Sequence, residues 1–163
     1  MEAQIARVAH QAFYHLRQVK LLALYLTPND RATVIHATVS SRLDYCNSLY
    51  AGLPLALTRK LQLVQNAAAW VLTKTPWKSH MRPILRQLHR LPVEFRIRVK
   101  VLVLTFKAIR GPGPAYLRDR LFPYVPRRTL HSSGTNLLEI PNHQDIRLAT
   151  TRNRAFSALA PSW

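Results

Sequence analysis

Apolar positions recur at helical spacing from the start of the chain. Over 3–25, Ile5, Val8, Phe13, Leu16, Val19 and Leu22 are separated by Arg7, Gln11, Arg17 and Lys20, which predicts an amphipathic helix. Thr27-Pro28-Asn29-Asp30 predicts the start of a second helix. It offers a hydroxyl cap, a proline in the first turn where no N–H is required, and an acid near the positive helix end. That helix is expected to run through Val34, Ile35, Ala37 and Val39 toward Leu43, and Gly52-Leu53-Pro54 to break the chain. From about Thr58 to Thr73, Leu61, Val64, Ala67, Ala68, Val71 and Leu72 make one apolar stripe. Ala67-Ala68-Ala69 is small enough for a neighbouring helix to approach closely. Pro76 ends that region, and 79–89 reads as a short helix interrupted at Pro83.

Residues 92–110 carry two patterns at once. Phe95, Ile97, Val99, Val101 and Val103 alternate with Arg96, Arg98 and Lys100, as in a strand. Yet Pro92 stands at a natural helix start, Gly111 at a natural stop, and Glu94 can pair with Arg98 one turn on. A strand of that length is unusual, so a helix is expected. Gly111-Pro112-Gly113-Pro114 is a turn, Tyr116–Phe122 a short helix, and Leu137-Leu138-Glu139-Ile140 the one candidate strand. The expected fold is mainly α: a small helical bundle over 1–75, a basic helical region over 76–123, and an extended, loosely packed, mostly irregular segment over 124–163.

Charge changes this picture. The 163 residues hold 24 Lys plus Arg against 7 Asp plus Glu, a formal net charge of +17. Residues 82–128 contain twelve of the 24 cations, opposed only by Glu94 and Asp119, whereas 1–50 hold five cations and three acids. A field so concentrated points to a polyanion, with nucleic acid the first candidate. With 48% hydrophobic residues the chain has enough apolar material for a core and is not a disordered basic tail. No apolar run approaches the roughly 20 residues a membrane span needs, so no membrane partner is expected. The first 26 residues, basic and acid-poor, loosely resemble a mitochondrial transit peptide, but they continue naturally into the helices that follow. Nuclear or cytoplasmic placement is expected over secretion, with a mitochondrial address the minor alternative.

Candidate chemistry is sparse. The one cysteine, Cys46, excludes a disulfide framework or a zinc finger, and nothing beside it in sequence would activate its thiol. His10 and His15 lie five apart, on different helix faces, and His80 and His89 are isolated. The acids never pair locally, so two-metal phosphoryl transfer has no candidate carboxylates. Neither a phosphate-binding glycine loop nor a Gly-x-Ser-x-Gly elbow occurs. The residues alone predict a basic helical binding module with no catalytic residue, no metal site, no cofactor and no small-molecule substrate.

A resemblance adds to that. Ser41-Arg42-Leu43-Asp44-Tyr45-Cys46-Asn47-Ser48-Leu49-Tyr50-Ala51-Gly52-Leu53-Pro54 and Leu61-Gln62-Leu63-Val64-Gln65-Asn66-Ala67-Ala68-Ala69 resemble the region downstream of the palm in reverse transcriptases of jockey-like non-LTR retrotransposons (LINEs). The likeness continues through Leu88-His89, Leu91-Pro92-Val93, Phe106-Lys107-Ala108 and Pro114-Ala115-Tyr116-Leu117, and resumes at Ser132-Ser133-Gly134 and Arg154-Ala155-Phe156. It implies the thumb and post-thumb part of an RNA-directed DNA polymerase, cut away from the palm that carries the Asp-Asp metal pair. It therefore implies no activity by this chain alone, and the palm as a partner if the two are expressed together. A thumb holds an RNA or RNA/DNA duplex by its phosphates; the residues expected to do so are Arg86, Arg90, Arg96, Arg98, Lys100, Lys107 and Arg110, with Arg127 and Arg128 on the loop beyond. Three positions depart from the family's pattern: Arg90 and Trp70, where tryptophan and arginine are usual, and His131, where arginine is usual. Each can arise from one nucleotide transition, and arginine to tryptophan or histidine, as at 70 and 131, is what decay of methylated CpG produces. Two alternatives follow: a non-functional product of a degenerate element, or an unrelated basic RNA-associated protein of an organelle.

Overall fold

The computed structural model describes residues 1–76, 78–126, 137–141 and 154–162, and among them the chain is mainly helical. Helix α1 spans Glu2–Leu22 and buries Ile5, Val8, Ala9, Ala12, Leu16 and Val19. The apolar stripe therefore runs through two alanines, while Phe13 and Leu22 stay exposed. Helix α2, Pro28–Ile35, begins as its sequence predicts: the Thr27 hydroxyl accepts the Asp30 N–H at 3.2 Å.

The stretch expected to continue α2 widens instead into a π-helical turn, His36–Ser40, before α3, Ser41–Asp44. Hydroxyls loosen it. Thr33 Oγ1 donates to the Asn29 carbonyl at 3.1 Å, Thr38 Oγ1 to Val34 at 2.7 Å, and Ser41 Oγ to Ala37. Each draws on a carbonyl of the preceding turn. A 3₁₀ turn, Asn47–Tyr50, follows Cys46, which is exposed and left-handed at φ 51°. Helix α4, Leu55–Thr73, buries Leu61, Val64, Gln65, Ala68 and Ala69. Lys60 meets Glu2 at 3.7 Å near the beginnings of α4 and α1, so these two helices run side by side in the same direction. Helix α5, Met81–Gln87, tolerates Pro83 because the proline sits in the first turn, where N–H groups have no intrahelical acceptor. It packs on α4 through Ala69, Ile84 and Leu85, with Trp70, Met81 and Leu88 at the margin.

Helix α6 spans Val93–Arg110, which settles the ambiguous stretch as a helix. The chain divides within it into two units, Met1–Arg96 and Ile97–Trp163. In the second unit α6 stops at Gly111, φ 102°, where the Gly111 and Gly113 N–H groups both donate to the Lys107 carbonyl at 3.1 and 2.9 Å. Gly113 comes so near Ala108 that a Cβ there would lie 2.6 Å from its nitrogen. Helices α7, Ala115–Arg118, and α8, Phe156–Leu159, are single turns. The candidate strand forms only one antiparallel bridge, Pro123 to Leu138, with no strand assigned among the described residues.

Candidate nucleic-acid interface

In the first unit, helix α5 and the turn after it carry Arg82, Arg86 and Arg90. Arg82 and Arg86 are four residues apart, hence on one face of the helix, and both are exposed. The chain then turns sharply: His89 adopts φ 51°, its N–H donates to the Arg86 carbonyl at 3.0 Å, and the Arg90 N–H donates to Leu85 at 2.8 Å. An open hollow of about 430 Å³ results, lined by Arg82, Leu85, Arg86, His89, Arg90, Leu91 and Pro92. Its lining holds no acid. Arg82 and His89 are not among the residues the sequence predicts to contact phosphate; the four-residue spacing of Arg82 and Arg86 is the available signal for Arg82.

Arg90 and Arg96 have other commitments. Arg90 is half-buried and donates to the hydroxyl of Ser40, in the π-helical turn. Burial lowers its pKa, nearby Arg96 lowers it further, and Asp44 opposes both. Arg96 forms an ion pair with Asp44. The residual space among Ile35, Val39, Ser40, Leu43, Gln65 and the two arginines is about 10 Å³, room for no more than one water. This interior is therefore nearly filled. Trp70 is also half-buried against the α5 cluster, and its indole N–H is buried without an acceptor.

The turn carrying Arg90 is fixed by α4. Gln65 Nε2 donates to the Leu91 carbonyl at 2.8 Å, and the Val93 N–H donates to Gln62 Oε1 at 2.9 Å. Gln62 in turn donates to Gln65 Oε1 and Asn66 Oδ1 at 3.0 and 2.8 Å. The amide motif of α4 thus holds the start of α6.

In the second unit Lys100, Lys107 and Arg110 are exposed, and their spacing of seven and three residues sets them on one side of α6. Arg110 lies over the Phe106 ring, 5.6 Å from its centroid. Arg98 is exposed on a different face of the helix. Arg127 and Arg128 lie outside the described residues, as does His131. Among the described residues no group of three or more His, Cys, Asp or Glu could hold a metal ion, and no helix is long and apolar enough to cross a membrane. Comparison with known proteins yields no relative: no family model, no curated protein and no solved structure matches the chain.

Proposed function

We propose that this chain is a nucleic-acid-binding helical module without catalytic activity of its own, one that holds an RNA or RNA/DNA duplex through phosphates. The observation that carries this reading is the acid-free hollow at Arg82, Arg86 and His89. Guanidinium groups fit phosphate oxygens two at a time, and a hollow lets several converge on a backbone without reading bases. The exposed run Lys100, Lys107 and Arg110 adds cations that a phosphate backbone neutralises. The resemblance to the thumb and post-thumb region of jockey-like retrotransposon reverse transcriptases supports the same reading, since a thumb grips duplex by charge and shape. It also supports the absence of polymerase activity in these 163 residues taken alone, since the likeness is to a region outside the palm.

Filter binding of a mixed-sequence duplex from low to physiological salt tests it. With about five phosphates engaged, log K falls against log salt with a slope of about −4 to −5. A flat dependence, or strong preference for one sequence, overturns the reading. A cooperative helical melt by circular dichroism separates a retained module from an unstable product of a decayed element.

A further inference from the structure

Helix α6 is apolar on two opposite sides. Ile97, Val101 and Ala108 are buried, whereas Val99, Leu102, Val103, Phe106 and Ile109 are between 42% and 60% exposed. At about 100° per residue the five exposed side chains share an arc of about 120°, centred nearly opposite the buried row. They form one stripe about 15 Å long, and all five lie in the second unit. Single exposed apolar residues are ordinary and need no explanation, but five that converge on one arc are a contact face. A helix apolar on both sides is ordinarily an interior helix with a layer packed on each.

Spacing and charge together select what fits this stripe. Val99, Leu102, Phe106 and Ile109 follow one another at intervals of three, four and three residues. That is the a and d spacing by which one helix seats its side chains between those of another. From Ile97 to Arg110 the helix carries four cations and no acid. Lys100 and Lys107 flank the stripe on one side, Arg98 on the other, and Arg110 stands at its end. A second copy of the chain would set these cations, and a net charge of +17, against themselves. A lipid surface would take Phe106 into hydrocarbon, and the Arg110 guanidinium, 5.6 Å from the centre of that ring, would follow it or give up the contact. A phosphate backbone would leave the stripe in water. A neighbouring helix accepts both groups, with the ring packed in the seam and the guanidinium meeting a carboxylate at its rim.

We propose that this face of α6 docks an acidic amphipathic helix of another protein, its apolar seam on Val99, Leu102, Phe106 and Ile109 and its carboxylates on Lys107 and Arg110. The docking does not rest on phosphate binding, although it takes cations that a duplex also uses. Peptide binding is read with no nucleic acid present, so the two readings fail separately.

Fluorescence anisotropy of a labelled three-heptad peptide, titrated with the full chain at physiological salt, tests the docking. The peptide carries leucine at a and d and glutamate at e and g, where like charge keeps it from pairing with itself. It is expected to bind one to one and saturably. A peptide of the same composition with the leucines moved off that spacing, and one with lysine in place of glutamate, are expected to bind at least tenfold more weakly. Leu102→Lys with Phe106→Lys should weaken the glutamate peptide at least tenfold even though it adds two positive charges. Equal binding of the rearranged peptide means that charge alone is read, and overturns the proposal. So does a dimer in sedimentation equilibrium that the double variant dissolves, or binding to phosphatidylserine vesicles that the same variant abolishes. The peptide series needs no variant, so it decides the matter even if a substitution prevents folding.

Discussion

Arg31 is only 2% exposed, yet in sequence it looks like any solvated cation on a polar turn. Its guanidinium donates to the carbonyls of Ala23 and Leu26 at 3.2 and 3.3 Å, closing the segment that leaves α1. Glycine often makes such a closure; here a side chain from α2 supplies it. Arg31→Ala removes two charge-assisted hydrogen bonds and a packed stem, and is expected to cost about 2–4 kcal/mol in urea unfolding. Arg31→Met keeps the bulk and removes a buried charge, so its cost should be less than half of that. Tyr50 makes a second prediction at this scale. It is buried, and desolvation first, then the charge of Cys46, raises its pKa above 10.0. The folded phenol thus holds its proton more tightly than the unfolded one. Stability is unaffected below pH 10 and falls as pH rises above it, because the unfolded state ionises first. Urea midpoints at pH 9 and 11 should drop for the native chain and drop less for Tyr50→Phe.

At the scale of elements, the amide pair of α4 carries the junction with α6. Gln65 is 3% exposed, and Gln65→Met leaves the Leu91 carbonyl without its donor, an expected loss of about 1–3 kcal/mol. Hydrogen exchange at the Val93 amide should accelerate in Gln62→Met, whose Oε1 holds that N–H. Neither role was legible beforehand, because a polar residue beside an apolar stripe reads as a solvated face. Local signals were legible: the Thr27 cap, the apolar stripe of α4 and the stop at Gly111 form where the residues dictate. The alternation over 95–103 misled for a definite reason. In α6, Ile97, Val101 and Ala108 are buried while Val99, Leu102, Phe106 and Ile109 are exposed. Apolar residues on two faces of one helix imitate a period of two. In α1 the opposite ambiguity appears: Phe13 has helical spacing but stays exposed, and Ala9 and Ala12 take the interior.

Across the whole molecule, a net charge of +17 repels itself, and a bound polyanion relieves that repulsion. Placing the charge on residues 82–128 was possible from sequence; sorting it into outward and inward groups was not, because Ser40 and Asp44, the partners of Arg90 and Arg96, lie some fifty residues earlier. That sorting makes the phosphate reading separable from mere basicity. Arg86→Gln and Lys107→Gln remove exposed charges, and each should lower the magnitude of the salt slope by about 1 with stability changed by less than about 0.5 kcal/mol. Arg96→Gln breaks the ion pair with Asp44 instead. The Asp44 side chain is 38% exposed, so solvent screens the pair and the loss should stay near 1 kcal/mol, with the salt slope unchanged. Filter binding and thermal melts on the same three variants read both quantities. If Arg96→Gln flattens the slope as much as Arg86→Gln does, its guanidinium reaches phosphate, and the division into inward and outward cations fails.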